Sequence, residues 1–167
     1  MMKLIQLMLL STIYLGSLTA ISAQNKKIQI YNPEINAQQQ INDAFIKAKA
    51  EGKHVFIQVG GNWCSWCVMM HKFYTEDIQV DSMLNASYVV CLLNYSKENK
   101  NLDILEQLEY PQRFGFPVIV ILDAQGKRLH TQNTVYLERG RGYNKKNFLE
   151  FLHNWSPKAL NPESYKK

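Results

Sequence analysis

Apolar positions change their period along this chain, and each change marks a different element. Ile41, Ala44, Phe45 and Ala48 fall at i, i+3, i+4 and i+7, which is one face of a helix. Gly52 stands where that helix would be capped. Val55 to Val59 reads as a strand closed by Gly60-Gly61, followed by a helix from about Cys64 to Phe73 and a shorter one from about Ile78 to Leu84. Tyr88 to Leu93 is a second strand-like run, and Leu102, Leu105 and Leu108 mark a further helix before the breaks at Pro111 and Pro117. Val118 to Leu122 is apolar at every position, the pattern of a strand covered on both faces. Asp123-Ala124-Gln125-Gly126 predicts a hairpin turn into a fourth strand. A polar loop and a strand or extension near Val135-Tyr136-Leu137 follow. Phe148, Phe151, Leu152 and Trp155 define the last amphipathic helix, with Asn144 as its N-cap. The order α-β-α-α-β-α-β-β-α implies an α/β fold, a central mixed β-sheet flanked by helices on both faces.

The two ends read differently from this body. Met1, Met2 and Lys3 precede an almost wholly apolar stretch from Leu4 to Leu18, and Thr19 to Ala23 are small apart from Ile21. That is the layout of a secretory signal peptide over residues 1–23, cut after Ala23, with Ala20 or Ser22 as alternatives. The apolar run is short for a membrane span, and no cysteine beside the cut suggests lipid attachment. Residues 24–37 form a polar lead-in in which Ile28, Ile30 and Tyr31 could pair as a short strand. The folded domain is expected over 38–156, with 157–167 as a tail.

Composition narrows the function classes. The chain has 167 residues, 46% hydrophobic and 20% charged, enough for one domain with a real core. Its net charge is +5, of which Lys3 supplies one, leaving +4 after the leader. The basic side chains are scattered and not interleaved with aromatics, so no nucleic-acid partner is expected. Three cysteines are too few, and odd in number, for a disulfide-stapled scaffold.

Two of those cysteines, Cys64 and Cys67, are spaced C-x-x-C where a strand ends and a helix opens. A thiol at a helix N-terminus meets unpaired N–H groups and the positive end of the helix dipole, which favour thiolate. The thiolate is the form that attacks a disulfide. Cys64 is therefore the expected nucleophile and Cys67, one turn further in, the resolving cysteine. A structural zinc site would need two more ligands in register. Haem attachment would need His where Val68 stands. A purely structural disulfide would restrain little chain.

Trp63-Cys64-Ser65-Trp66-Cys67, Phe116-Pro117 before a buried strand, the Asp123 to Lys127 turn and Gly142 before the last helix together resemble the thioredoxin superfamily. The approach Ala48 to Lys53 is similar to the C-terminal domain of DsbD-type thiol:disulfide interchange proteins, and to small secreted thioredoxin-like proteins. The resemblance implies a thioredoxin fold and a cis Pro117. It implies substrate contacts at Trp63, Trp66, Phe116 and Pro117, with the Phe116 backbone pairing to an incoming peptide. It also implies reversible Cys64–Cys67 chemistry without a bound cofactor. Partners would be protein thiols and disulfides and, in a Gram-negative cell, a membrane thiol-transfer reductant. The expected setting is periplasmic, or secreted or in the endoplasmic reticulum lumen if the source is eukaryotic. Monomer is the default.

Three positions depart from the family pattern. Gln58 stands where thioredoxin carries a buried Asp, and cannot accept a proton. Ser65-Trp66 replaces Gly-Pro or Gly-His between the cysteines. The stretch from Gly126 to Gly142 is longer, its extra residues near His130 to Arg139 being a partner-specific loop or a solvated hairpin extension. Cys91 reads as a buried small hydrophobe, His71 as a surface or packing residue, and Met69 and Met70 as core. The leading expectation is an exported protein disulfide reductase or isomerase. The alternatives are a thiol reductant for cytochrome c maturation and a client-binding module with little turnover.

Overall fold

The computed structural model describes residues 28–166. The expected signal peptide lies outside the described residues. Helix α1 (Ala37–Glu51) starts at Asn36, whose side chain accepts from the Gln39 N–H, and ends at Gly52 in the left-handed region, as its sequence pattern predicts. Strand β1 (His54–Gly60) follows, then α2 (Ser65–Glu76) and α3 (Ile78–Ser87). Asp77 separates these two helices: it is extended, and its carboxylate accepts from the Gln79 and Val80 N–H groups and pairs with Lys145 at 2.9 Å. Strand β2 (Tyr88–Asn94), helix α4 (Leu102–Gln107), strands β3 (Val118–Leu122) and β4 (Arg128–Asn133), a short ribbon of β5 (Glu138–Arg139) and β6 (Gly142–Tyr143), and helix α5 (Lys145–Asn154) complete the body. Asn144 caps α5 through the Lys146 and Asn147 N–H groups.

The main sheet has the order β2-β1-β3-β4, with β1 parallel to β2, antiparallel to β3, and β3 antiparallel to β4. Alternation along the strands divides the core in two. Val55, Ile57, Val59, Cys91, Val118 and Val120 face α1 and α4. Phe56, Ile119 and Ile121 face the opposite side, where Met70, Leu84 and Phe148 meet them from α2, α3 and α5. Strand β3 is buried at all five positions, which is why it shows no alternation in sequence.

Three expectations are corrected. The strand considered at Ile28–Tyr31 does not form; those residues carry no regular hydrogen-bonding pattern, and Tyr31 is buried. Val135–Leu137 lies in a 3-10 turn (Thr134–Leu137), because the Asn133 side chain caps the Val135 N–H and the Thr134 hydroxyl donates to the Pro117 carbonyl at 2.6 Å. The long segment after the hairpin is solvated only in its second part: β4 is half-buried, and His130 stacks on Trp155 with ring centroids 4.2 Å apart, whereas Val135 and Tyr136 are exposed. Of the two methionines expected in the core, Met70 is buried and Met69 only partly so.

Candidate active site

Strand β1 runs buried to Gly60, and the chain then turns through Gly61-Asn62-Trp63 into α2. This turn brings the C-terminal end of the sheet and the N-terminal end of a helix to one point. Cys64 is the N-cap of α2: its sulfur accepts from the Cys67 N–H at 3.2 Å. The backbone N–H of Val68 closes on the Cys64 carbonyl at 3.2 Å. Cys64 and Cys67 are joined as a disulfide with Cα atoms 5.2 Å apart. Cys64 keeps 7% exposure and Cys67 none, so an incoming group meets Cys64 first.

The surroundings of the pair are aromatic. Trp63 is 53% exposed, and its indole N–H donates to the Tyr95 carbonyl at 2.6 Å. Its ring stands edge-on to Phe116, with centroids 5.6 Å apart, and Phe116 in turn lies on Tyr95 at 4.7 Å. Gly61 has no room for a side chain here, since a Cβ would collide with the Trp63 indole and the Tyr95 carbonyl. The Phe116–Pro117 peptide is cis. Trp66 is half-buried and edge-on to Tyr143, whose hydroxyl donates to the Trp66 carbonyl at 3.2 Å; the β5–β6 ribbon thus backs the first turn of α2. Trp63 and Phe116 therefore share one wall of the site, while Trp66 is engaged from the other side. A groove of ≈ 970 Å³ opens beside Trp63, between the segment 29–34 and the loop after β2.

Two elements beside the cysteines carried no sequence signal for their place there. Asn62 works as a clip: its carbonyl oxygen accepts from the Ile30 and Tyr31 N–H groups at 2.8 and 3.0 Å, and its amide donates to the Tyr31 carbonyl at 2.7 Å. One side chain thus replaces the strand pairing that the lead-in lacks. The clip seats Tyr31 against both cysteines in a small cluster. Gln58, fully buried, donates to the Tyr31 hydroxyl at 2.5 Å and to the Cys67 carbonyl at 3.0 Å. Burial holds the Tyr31 phenol far above its ordinary pKa. Tyr31 is the lone aromatic in a polar stretch, and only the clip residue 31 positions away explains its placement.

The remaining candidates lie apart. Cys91 points into the α1 face of the sheet, and burial pushes its thiol up to about 12. His71 is half-buried, edge-on to Tyr74 at 5.3 Å, and burial lowers its pKa. Among the described residues no group of three or more His, Cys, Asp or Glu is arranged to hold a metal ion.

Comparison with known proteins adds to this geometry. The family model Thioredox_DsbH, described as "Protein of unknown function, DUF255", matches residues 22–161. The thiol:disulfide interchange protein DsbD of Colwellia psychrerythraea is 29% identical over 101 residues, covering 60% of this chain and 16% of that protein. Spermatogenesis-associated protein 20 of Mus musculus is 33% identical over 61 residues, covering 36% of this chain and 8% of that protein. The chain thus spans only a small part of either relative. The crystal structure of a disulphide isomerase from Xylella fastidiosa Temecula1 superposes with a TM-score of 0.67 at 20% identity, covering 76% of this chain and 96% of that one, and shows the thioredoxin fold.

Proposed function

This chain belongs to the thioredoxin-like DsbH family, and on that premise we propose that it is an exported protein thiol–disulfide oxidoreductase working through Cys64 and Cys67. The observation that carries the reading is the position of Cys64 at the N-cap of α2, with its sulfur on a backbone N–H and its partner sulfur buried behind it. The helix end favours the Cys64 thiolate. That thiolate attacks a substrate disulfide, a mixed disulfide forms and one substrate thiolate leaves. Cys67 then bonds to Cys64 and releases the second substrate thiolate. Two electrons pass from the dithiol to the substrate, and no bound cofactor is required.

Client peptides approach across Trp63, Phe116 and Pro117, with the Phe116 backbone offering strand-like hydrogen bonds. The groove beside Trp63 adjoins this approach. Trp66 contributes by fixing the first turn of α2 against Tyr143. The domain spans 38–156 with Tyr31 drawn in from the lead-in, acts as a monomer in the periplasm or a comparable exported setting, and is recharged by a membrane thiol-transfer reductant. The test is turnover of a protein disulfide by the reduced protein. Rapid reduction that is lost in Cys64→Ser, with a trapped mixed disulfide in Cys67→Ala, is the expected result. Peptide binding with no exchange would instead make the chain a client-binding module.

A further inference from the structure

Resolving a mixed disulfide requires the second sulfur to carry negative charge inside a desolvated site, where an unpartnered anion is costly. Cys67 is fully buried, and the residue that β1 places beside it is an amide, Gln58. An amide has no proton to take or lend at neutral pH. Among the described residues no Asp or Glu is buried, so no carboxylate substitutes from elsewhere in the core.

Tyr31 occupies this place. It is 3% exposed, and its main chain is tied on both sides by Asn62. The bond from Gln58 has a direction: the amide N–H donates and the phenol oxygen accepts, which leaves the Tyr31 O–H proton for a different acceptor. Cys67 packs with Tyr31 in the same small cluster. A Cβ built on Gly60 would lie 2.5 Å from Cys67 Sγ and 2.8 Å from Tyr31 Oη, so hydroxyl and sulfur flank one point that the missing side chain keeps empty. Tyr143 on β6 and Tyr74 on α2 interact electrostatically with Tyr31, and both are held as neutral phenols by burial. Tyr31 is likewise held neutral, and so remains a hydrogen-bond donor.

We propose that Tyr31 is the positioning residue of the resolving step, its hydroxyl oriented by Gln58 to hydrogen-bond the Cys67 thiolate. The proposal rests on the oxidoreductase reading above. In the reducing direction the Cys67 S–H bond breaks as its sulfur bonds to Cys64. The bond between Cys64 and the substrate sulfur breaks, and the proton passes to the departing substrate thiolate. The dithiol loses two electrons, the substrate gains them, and Tyr31 keeps its proton throughout. In the opposite direction Cys67 is the leaving thiolate and receives the same hydrogen bond.

Stopped-flow mixing of the reduced protein with a fluorescent peptide disulfide separates formation of the mixed disulfide from its resolution. Tyr31→Phe is expected to slow resolution about tenfold, the scale of one hydrogen bond to a charged group, while formation by Cys64 is unchanged. A fluorotyrosine at position 31, which keeps the shape and strengthens the donor, is expected to speed resolution. Wild-type resolution in Tyr31→Phe, equal slowing of both steps, or no acceleration with fluorotyrosine would each overturn the assignment. Absence of any disulfide exchange by the unmodified protein overturns the oxidoreductase reading itself, before any variant is made.

Discussion

Cys91 and the Cys64–Cys67 pair carry the same functional group on opposite sides of one sheet. Cys91 sits in β2 among Val, Leu and Ala side chains under α1, in a strand whose backbone pairs with β1. Burial there acts alone, and raises the thiol to about 12. Cys64 is buried almost as deeply, yet it caps a helix, so an N–H reaches its sulfur. With Cys64 as the nucleophile proposed above, depth does not decide whether a cysteine is reactive. What decides is whether desolvation comes with a polar group that supports charge.

The largest effect expected from this contrast is on turnover. Cys64→Ser should abolish exchange and Cys67→Ala should stall it at the mixed disulfide, whereas Cys91→Ala should exchange at the wild-type rate; loss of turnover in Cys91→Ala would break the comparison. Next is alkylation of the reduced protein by iodoacetamide at neutral pH. Cys64 should react much faster than Cys91, whose buried thiol is held protonated. Comparable rates by mass spectrometry would show that Cys91 is not sealed in the sheet.

A third effect concerns alkaline stability. The Cys91 pKa is raised in the folded chain, so its contribution is present below the unfolded thiol range near 9 and is lost as pH rises toward 12. The slope is about 1.4 kcal/mol per pH unit at most. Tyr31, Tyr88 and Tyr143 are also raised by burial and add their own loss above about 10. Denaturant titrations should therefore show a shallower decline in Cys91→Ala than in wild type between about pH 9 and 10. Identical slopes would contradict the assigned cause. The smallest effect is at the rim. Trp63→Ala removes an exposed ring with one hydrogen bond, and should lower kcat/KM for protein clients about 5- to 30-fold with little change in melting temperature.

Most of the scaffold could be read along the chain because its local signals agree with its packing. The i, i+3, i+4 pattern of α1, the Gly52 and Asn144 caps and the unbroken apolar run of β3 each match their surroundings in the fold. The placement of Cys64 and Cys67 was legible for the same reason, as a strand end meeting a helix start. The lead-in was not. Ile28 to Tyr31 has the alternation of a strand, but its hydrogen bonds go to a single side chain, Asn62, and no local pattern encodes a pairing 31 residues away. Val135–Leu137 has the β-branched and aromatic residues of a strand or extension, while side-chain bonds from Asn133 and Thr134 wind it into a turn. Gln58 could be seen to break the family pattern, but only the folded chain shows that Tyr31 stands beside it.

The most direct test of the central claim is a redox titration in glutathione buffers, with each cysteine's state read by alkylation and mass spectrometry. The account predicts that Cys64 and Cys67 interconvert together as a two-electron couple, with a potential nearer about −270 mV than about −120 mV, while Cys91 stays a thiol throughout. A pair that remains locked in one state across the whole series, or a disulfide that includes Cys91, would contradict it.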